Sequence, residues 1–379
     1  MKKLIICIDG LGFDLISKEN TPFLYKFGRE NNLSVLKTFF AFTGIEYSFF
    51  MGNTPKENGI WLEFSKSQNS VFNNPLLKFS SFNKKLRTYL GALIQLSNKR
   101  TYISALHNIP AEKLKYFDSS AKEGLWKLPY FQEKAFSFYK WPFLITKIDY
   151  AYASRNTEKR KREKRKIIFK YESDNERLER LMKEGGKEVY YTQLMSIDKT
   201  IHKFGKNSKE TREALFKIDK IIGKHLKKFL EGNPNSQIII WGDHGFADIK
   251  KYINLEGILP KRRDYLYFIA GTTASFWFKN TEVKKEITEI LSKIKEGKIL
   301  DLKAAEKYKI PFSKKYGDIV FYIKKGNYFF PNFYQREREE RFLAMHGYPD
   351  DKELDGFLIT NAKGKVNKSL KINEIREIL

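Results

Sequence analysis

Short apolar runs alternate along the chain with segments in which apolar residues follow a helical spacing. Residues 4–8 are continuously apolar, which is typical of a strand buried on both faces, and a glycine-rich turn follows them. Thr21 and Pro22 mark the start of a helix whose apolar positions include Phe23 and Phe27. Strands that alternate with helices predict an α/β fold with a mostly parallel central sheet flanked by helices.

The same pattern predicts further elements beyond the first helix. The predicted elements are strands at 35–40, 237–240, 274–278 and 355–360, helices at 45–50 and 211–230, and a hairpin at 317–330. Turn residues separate these elements, and the segments show no internal repeat.

The rhythm of strands and helices is lost between residues 65 and 185. Aromatic and basic residues mix there, and the run RNTEKRKREKRK follows at 155–166. We therefore assign 65–185 to a large inserted cap, and 1–64 and 186–379 to the core, with 248–335 as a smaller α+β subdomain. The basic run is interpreted as a solvated helix face or a mobile segment. The alternative is a surface that binds a phosphate polymer or an anionic membrane.

The charge balance favours anionic partners. The chain has 71 Lys and Arg against 45 Asp and Glu, which gives a formal net charge of +26. Lys, Ile, Asn and Glu are all plentiful, so an AT-rich coding bias explains part of this excess equally well. The single cysteine, Cys7, excludes an internal disulfide, and no apolar run approaches the ~20 residues of a membrane span. We expect a cytoplasmic protein, and no pattern predicts a protein partner.

Acidic and imidazole side chains follow two of the predicted strands. Asp9 comes directly after the first strand, and Asp243 and His244 follow the strand at 237–240. Ligands bind outside the carboxyl ends of strands in open α/β sheets, so these side chains can converge although they are distant in sequence. A strand-end aspartate is often only a helix N-cap, which is the alternative for each residue alone.

A second group completes a candidate set of metal ligands. Asp198 and His202 are spaced to lie on one face of a helix, and His346 lies in a glycine-flanked loop. Together with the strand-end residues they give three aspartates and three histidines, a donor set that suits zinc, manganese or iron. His107 and His225 lie outside the set, and we expect His225 on the surface of a lysine-rich helix.

Thr43 is the candidate nucleophile, in the segment FFAFTGIEYSFFMG. It follows a predicted strand and precedes a predicted helix, so backbone N–H groups at the helix start could bind a phosphoryl oxygen. A nearby metal would promote ionisation of its hydroxyl, which is otherwise a poor nucleophile at neutral pH. The alternative is an ordinary helix N-cap, a common role of threonine.

Several separated motifs occur in an order that resembles a known family. They are IDGLGFD, TPFLYKFGREN, FFAFTG, MGNTPKENGIW, YTQLMSIDKTIHKFG, GDHGF and AMHGYPD. This order resembles the type I phosphodiesterase/nucleotide pyrophosphatase branch of the alkaline phosphatase superfamily, and it implies an alkaline phosphatase-like fold with two metal ions, usually zinc. The ligands implied for one ion are Asp198, His202 and His346, and those for the other are Asp9, Asp243, His244 and Thr43.

Glu46 departs from the family pattern. Nucleotide pyrophosphatases typically have an asparagine three residues after the threonine, which helps to bind a phosphoryl oxygen. A carboxylate there would repel that oxygen unless it is protonated, turned away or paired with a cation. The specificity for nucleotides is therefore open, whereas the metal ligands all match.

The resemblance implies a metal-dependent hydrolase that acts on an anionic phosphate ester. A phosphodiesterase or nucleotide pyrophosphatase is the first expectation. A phosphomonoesterase, phosphonate hydrolase or phosphotransferase of the same superfamily is the alternative. A nucleic-acid-binding protein that uses the basic run is the alternative from another class, but binding alone would not need the complete ligand set.

Overall fold

The computed structural model describes residues 1–40, 45–98, 106–121, 128–132, 136–139, 147–152, 161–166, 172–183, 186–349, 351–364 and 366–379. Its α-helices are α1 Pro22–Glu30, α2 Ile45–Met51, α3 Pro55–Asn58, α4 Pro75–Phe79, α5 Lys84–Ser97, α6 Pro129–Gln132, α7 Asp174–Met182, α8 Ser196–Phe204, α9 Lys209–Gly232, α10 Leu255–Ile258, α11 Thr281–Ser292 and α12 Leu302–Tyr308. Within these ranges, none of the helices combines the length and the hydrophobicity that crossing a bilayer requires.

The strands alternate with these helices through most of the chain. They are β1 Lys3–Ile8, β2 Asn32–Lys37, β3 Phe64–Lys66, β4 Phe117–Ser119, β5 Phe136–Tyr139, β6 Lys147–Tyr152, β7 Lys161–Lys166, β8 Val189–Leu194, β9 Gln237–Trp241, β10 Ala247–Asp248, β11 Lys251–Ile253, β12 Tyr265–Ile269, β13 Thr273–Phe278, β14 Gly297–Ile299, β15 Ile319–Ile323, β16 Asn327–Phe329, β17 Ala344–Met345, β18 Gly356–Thr360 and β19 Ser369–Lys371.

A nine-stranded sheet forms the centre of the molecule. Its strand order is β19-β2-β18-β9-β1-β8-β5-β6-β7. The strands β9, β1, β8 and β5 pair in parallel, and β19 pairs in parallel with β2. Only β18 and β6 run against their neighbours in this sheet, as far as the structure describes it. The prediction of a mostly parallel central sheet is therefore confirmed.

Successive residues of β1 pack on opposite faces of the sheet. Leu4 and Ile6 contact the core that contains residues of α8 and α9, whereas Ile5 and Cys7 contact the core that contains residues of α2. This alternation follows from the two-residue period of a strand, and burial on both faces explains why β1 is continuously apolar. Helices therefore cover both faces of the sheet, as predicted.

His225 lies in the core of the protein, so its predicted surface position is wrong. It is 3% exposed, and its Nε2 lies 3.0 Å from Oδ1 of Asn175. The reason is helical phase: Ile222 and Phe229 lie three and four residues away along α9 and are buried on the same face. The many lysines of α9 occupy the other faces and masked this stripe.

A smaller antiparallel sheet has the strand order β12-β13-β15-β14. It lies within the range predicted as an α+β subdomain, and α11 packs against it. The predicted hairpin at 317–330 is wrong, because β15 pairs with β13 and β14 while β16 pairs with β11. Both edges of β15 are already paired, so β16 must find another partner for its backbone groups.

The region predicted as a cap also contributes strands to the central sheet. β5 pairs with β8, and β6 and β7 continue the sheet to its edge. Residues 161–166 form β7, so the helix predicted for that part of the basic run is wrong. A charged edge strand discourages pairing with another chain. Residues 155–160 lie outside the described residues, and the division into core and cap stays a prediction.

Candidate metal centre

The first ligand group lies where two neighbouring parallel strands end. Asp9 follows β1, and Asp243 and His244 follow β9, which pairs directly with β1. Nε2 of His244 lies 3.5 Å from Oδ1 of Asp9 and 3.7 Å from Oδ2 of Asp243. The structure therefore brings together these three residues as the sequence predicts, and their ligand atoms all lie within 4.8 Å of one another.

Backbone N–H groups fix the carboxylate of Asp243. Gly10 and His244 each donate a backbone hydrogen bond of 3.0 Å to its Oδ1. Gly10 has a φ of +74°, and a Cβ at this position would lie 2.6 Å from Phe246 and 2.9 Å from Cα of Asp198. Glycine is required here because the turn after β1 must approach both neighbours closely.

The second ligand group combines a helix with a loop. Asp198 and His202 lie one turn apart on α8, and His346 follows β17. Oδ1 of Asp198 lies 3.5 Å from Nε2 of His202 and 3.7 Å from Nε2 of His346. These three ligand atoms also lie within 4.8 Å of one another, so this group too could hold a metal ion.

The two groups adjoin each other. The backbone N–H of Asp198 donates a 3.1 Å hydrogen bond to the carbonyl oxygen of Asp9. The rings of His244 and His346, one from each group, stack with centroids 3.8 Å apart. The six side chains therefore form one continuous centre, which we call the metal centre.

Hydrogen bonds to backbone carbonyls orient two of the imidazoles. Nδ1 of His202 lies 2.9 Å from the carbonyl oxygen of Ala344, and Nδ1 of His244 lies 3.2 Å from that of Gly245. A proton held on Nδ1 leaves Nε2 as the free ligand atom, an arrangement that is usual for histidines that bind metals. The donor set therefore fits a divalent ion in orientation as well as in chemistry.

Burial shifts the pKa values throughout the metal centre. It raises the pKa of Asp198 and that of Asp243 to about 6 each, and it lowers the pKa of His202 to about 4. Burial also disfavours the charged form of His244, but the carboxylates of Asp243 and Asp9 outweigh it and raise the pKa of His244 to about 10. Buried carboxylates that repel one another are the environment in which a divalent cation is bound most favourably.

A cavity of about 420 Å³ connects the second ligand group with solvent. Its lining residues are Asp198, Lys199, His202, Lys203, Glu340, Arg341 and Phe342. The ring of Phe342 stacks on His202 at 4.4 Å, which makes one wall of the opening apolar. The positive side chains at the mouth favour entry of an anionic ligand.

Gln193 contacts the metal centre and was missed by sequence reasoning. Its Nε2 donates a 2.9 Å hydrogen bond to Oδ2 of Asp9, which fixes the carboxylate from the neighbouring strand β8. The available signal was a polar residue next to the end of a largely apolar strand, in register with Cys7, two residues before the aspartate. Such a polar residue at the carboxyl edge of a sheet indicates a contact with the site.

Thr43 lies outside the described residues, whereas Glu46 lies on α2 and is buried. Oε1 of Glu46 accepts a 2.9 Å hydrogen bond from the hydroxyl of Tyr191. Burial and the charge of Glu46 raise the pKa of Tyr191 well above its usual value, so the phenol remains a donor. The carboxylate is therefore bound by the protein itself on at least one oxygen.

No protein of curated function matches the sequence. Among solved structures, the chain is similar to murine ectonucleotide pyrophosphatase/phosphodiesterase 5, with 15% identity and a TM-score of 0.64 over 100% of this chain and 94% of that one. It is also similar to the human protein, with 14% identity and a TM-score of 0.67 over 100% of this chain and 93% of that one.

A third solved structure is the murine protein as an inactive threonine-to-alanine variant in complex with AMP. It has 14% identity and a TM-score of 0.63, over 100% of this chain and 93% of that one. At these identities the likeness establishes the fold, an alkaline phosphatase-like one as the motifs imply. The profile of the type I phosphodiesterase / nucleotide pyrophosphatase family matches residues 3–349. The chain therefore belongs to that family and is a hydrolase of that type.

Proposed function

We propose that the chain hydrolyses phosphodiester or nucleotide pyrophosphate bonds with two divalent metal ions and Thr43 as the nucleophile. The observation that carries this proposal is the pair of adjoining ligand groups, each with one ligand atom per side chain within 4.8 Å of the others. A single structural ion would need only one such group. Two adjoining groups at the carboxyl edge of the sheet fit a catalytic pair.

The residues proposed to hold one ion are Asp198, His202 and His346, and those proposed for the other are Asp9, Asp243, His244 and Thr43. Bound there, the ions would neutralise charge on the phosphoryl group and favour ionisation of a hydroxyl nucleophile. Carboxylate and imidazole ligands suit zinc first, with manganese or iron as alternatives.

Thr43 is proposed to attack the phosphorus atom through its Oγ. The bond from phosphorus to the leaving oxygen breaks as the threonine ester forms, and water then cleaves that ester and restores the hydroxyl. Two facts support this role: in the sequence Thr43 stands two residues before the start of α2, and a threonine-to-alanine variant of the murine neighbour is inactive. The AMP bound to that variant makes a nucleotide a reasonable substrate class for this chain.

Glu46 bears on the choice among phosphate esters. It lies on α2, three residues after Thr43, where it accepts a hydrogen bond from Tyr191 and acts electrostatically on Asp9 of the metal centre. A fixed carboxylate disfavours a dianionic monoester more than a monoanionic diester. This favours a diesterase over the phosphomonoesterase alternative, whereas the phosphonate hydrolase and phosphotransferase alternatives stay open. A cytoplasmic location and an anionic polymer or membrane as partner of the run at 155–166 stay predictions.

Hydrolysis of a diester and of the matched monoester tests this proposal. We expect purified protein to hydrolyse bis-p-nitrophenyl phosphate faster than p-nitrophenyl phosphate. Removal of metal with EDTA should abolish both activities, and added zinc or manganese should restore them. Equal activity before and after complete metal removal would exclude the proposed chemistry. A faster monoester reaction would retain the metal centre and assign the chain to the phosphomonoesterase alternative.

A further inference from the structure

A groove lies at the seam between the segment 64–117, as far as the structure describes it, and the face of strands β12 and β13. Two adjoining cavities of about 650 Å³ and 520 Å³ form it, and they share the residues Glu112, Lys113, Arg263 and Tyr265. Side chains from distant parts of the sequence meet here because buried aromatic residues of the segment pack against β12 and β13. We call this feature the basic groove. Ligand sites occur preferentially at such seams.

Positive side chains dominate the basic groove. The first cavity is lined by one carboxylate, that of Glu112, and by five cationic residues: Lys66, Lys113, Lys115, Arg263 and Lys279. In the part of the chain that the structure describes, no carboxylate lies within ion-pair distance of Lys66, Lys115, Arg263 or Lys279. The cations of this cavity therefore retain charge that a ligand can neutralise.

The positive and negative charges that line the second cavity are more nearly balanced. Its Arg336 pairs with Glu256 at 3.2 Å, and Arg262 pairs with Asp264 and Glu286 at 2.6 Å each. The uncompensated charge is therefore concentrated in the first cavity. An anion is expected to bind there, and its neighbouring parts can extend into the second cavity.

Aromatic side chains are interleaved with these cations. Tyr116 is 39% exposed, and Nζ of Lys115 lies 4.8 Å from its ring centroid. At the junction of the two cavities, Nζ of Lys113 lies 3.4 Å from the ring centroid of Tyr267. Trp277 lines the first cavity, with Nζ of Lys66 6.0 Å from its ring. Cations held beside ring faces are typical of sites that bind phosphates and bases together.

We propose that the basic groove binds single-stranded nucleic acid, at a site separate from the metal centre. The cations would contact successive phosphates, and the exposed ring of Tyr116 would stack with an unpaired base. A duplex hides its base faces inside the helix. A bilayer presents a broad surface that contacts the rim of a concave groove rather than its floor. The concave shape and the aromatic walls therefore favour a single strand over either.

Lys113 is the fixed element of this site. Burial lowers its pKa to about 8, while the carboxylates of Glu256 and Glu112 act in the opposite direction. A bound phosphate would stabilise the charged form of Lys113, and burial would strengthen this attraction because less water screens it.

Salt-dependent binding of a fluorescein-labelled oligothymidylate tests the role of the cations. The full chain is kept in EDTA so that the probe is not hydrolysed. The groove variant carries Lys66→Ala, Lys115→Ala and Arg263→Ala, and its charge-matched control carries Lys217→Ala, Lys224→Ala and Lys228→Ala on exposed positions of α9. Each phosphate contact contributes roughly 0.7 to the slope of log affinity against log salt, so the groove variant should lose about 2 from this slope.

The control triple should leave the slope within about 0.5 of the wild-type value. If both triples weaken binding equally, the net positive charge alone attracts the probe and the proposal is overturned. Hydrolysis of bis-p-nitrophenyl phosphate by the groove variant should stay at the wild-type rate, because none of its three positions lies in the metal centre. A failure of the groove and a failure of the catalytic proposal are therefore distinguishable.

A second arm tests the bases. Tyr116→Ala should weaken oligothymidylate binding at least about fivefold without a change in salt slope, whereas Tyr89→Ala, on an exposed tyrosine of α5, should have no effect. Inorganic polyphosphate, which lacks bases, should compete poorly. If polyphosphate competes as well as the oligonucleotide and Tyr116→Ala does not change binding, the groove recognises negative charge only. Binding of phosphatidylglycerol vesicles that depends on the groove, without binding of the oligonucleotide, would assign the groove to a membrane surface. Either result would overturn the proposal.

Discussion

The metal centre and the basic groove are both concave, but they are built on opposite principles. The carboxylates and imidazoles of the metal centre are largely buried. Hydrogen bonds to an oxygen or nitrogen atom of these groups hold them in place, as the bond from Gln193 does for Asp9. Cations of the groove such as Lys66 and Lys115 are exposed on flexible stems. The first region is preorganised for compact cations at fixed positions, and the second can follow an extended anion of variable conformation.

Burial acts on the charges of both regions in a parallel way. It raises the pKa of Asp198 and Asp243 to about 6, and it lowers the pKa of Lys113 to about 8. In each case the protein disfavours the charged form that a ligand would stabilise. The charged forms of these groups are therefore unfavourable in the free protein, and a bound ligand of opposite charge would stabilise them.

Loss of the proposed nucleophile should give the largest effect on catalysis and should not change binding in the groove. We expect Thr43→Ala to reduce kcat for bis-p-nitrophenyl phosphate by at least about 10³-fold. Thr43→Ser should keep measurable turnover because it keeps a hydroxyl at the same position. Both variants should still bind metal through the aspartates and histidines, although Thr43→Ala loses one proposed ligand, and both should bind oligothymidylate as the wild type does. Near-normal turnover of the alanine variant would mean that water attacks phosphorus directly.

Removal of the hydrogen bond from Gln193 should weaken the metal centre alone. We expect Gln193→Ala to reduce metal affinity or activity by about 10- to 100-fold, because the Asp9 carboxylate loses the donor that orients it. Gln237→Ala is the matched control, since Gln237 lies on β9 at the opposite end of the sheet and bonds to the carbonyl of Ile378. Equal losses in both variants, measured by titration with zinc, would indicate general damage to the sheet.

Two glycines with positive φ separate the effect of steric overlap on stability from the effect of backbone conformation. Gly10 and Gly186 both have positive φ, but a Cβ at Gly186 meets nothing within 4 Å, whereas one at Gly10 lies 2.6 Å from Phe246. Both substitutions to alanine carry the conformational cost of about 1 kcal/mol, and Gly10→Ala should lose a further 1–3 kcal/mol or so of unfolding free energy. Denaturant unfolding measures the difference. Indistinguishable variants would show that the turn relaxes freely.

The smallest expected effect is a pH dependence confined to the groove. Because the pKa of Lys113 is about 8, this lysine is charged below that pH and neutral above it. Oligothymidylate affinity in EDTA should therefore fall severalfold as the pH rises from about 7 to 9. Lys113→Met should remove this dependence, although Glu112, Glu256 and Arg336 remain nearby. The same pH profile in the variant would exclude Lys113 as the responsible group.

Local pattern was sufficient to predict four strands of the central sheet, which are β1, β2, β9 and β18. The apolar run at 4–8 became β1, and Thr21 and Pro22 lie at the start of α1. Pairing was harder, because the partner of a strand depends on which edges are already filled. The prediction of a hairpin at 317–330 was wrong for that reason. The strands β5–β7 lie in the predicted cap, where mixed aromatic and basic residues led to no strand prediction.

The six residues proposed as ligands could be selected from the sequence because each lies in a short motif. The orienting contacts could not, since Gln193 reaches Asp9 only through the register of β8 against β1. The basic groove left no motif at all. Lys66, Lys113 and Arg263 are ordinary surface residues in sequence and meet only through the packing of separate segments. A site of this kind becomes visible only in three dimensions.

The number of metal ions bound per chain tests the central claim most directly. Purified protein reloaded with zinc and freed of excess ion should hold two ions per chain, one for each ligand group. His202→Ala and Asp243→Asn should each lower this number toward one, by removing a ligand from different groups, while His225→Asn, at a buried histidine outside the metal centre, should leave it unchanged. A wild-type protein that binds no zinc, or ligand variants that bind as much as the wild type, would contradict the account.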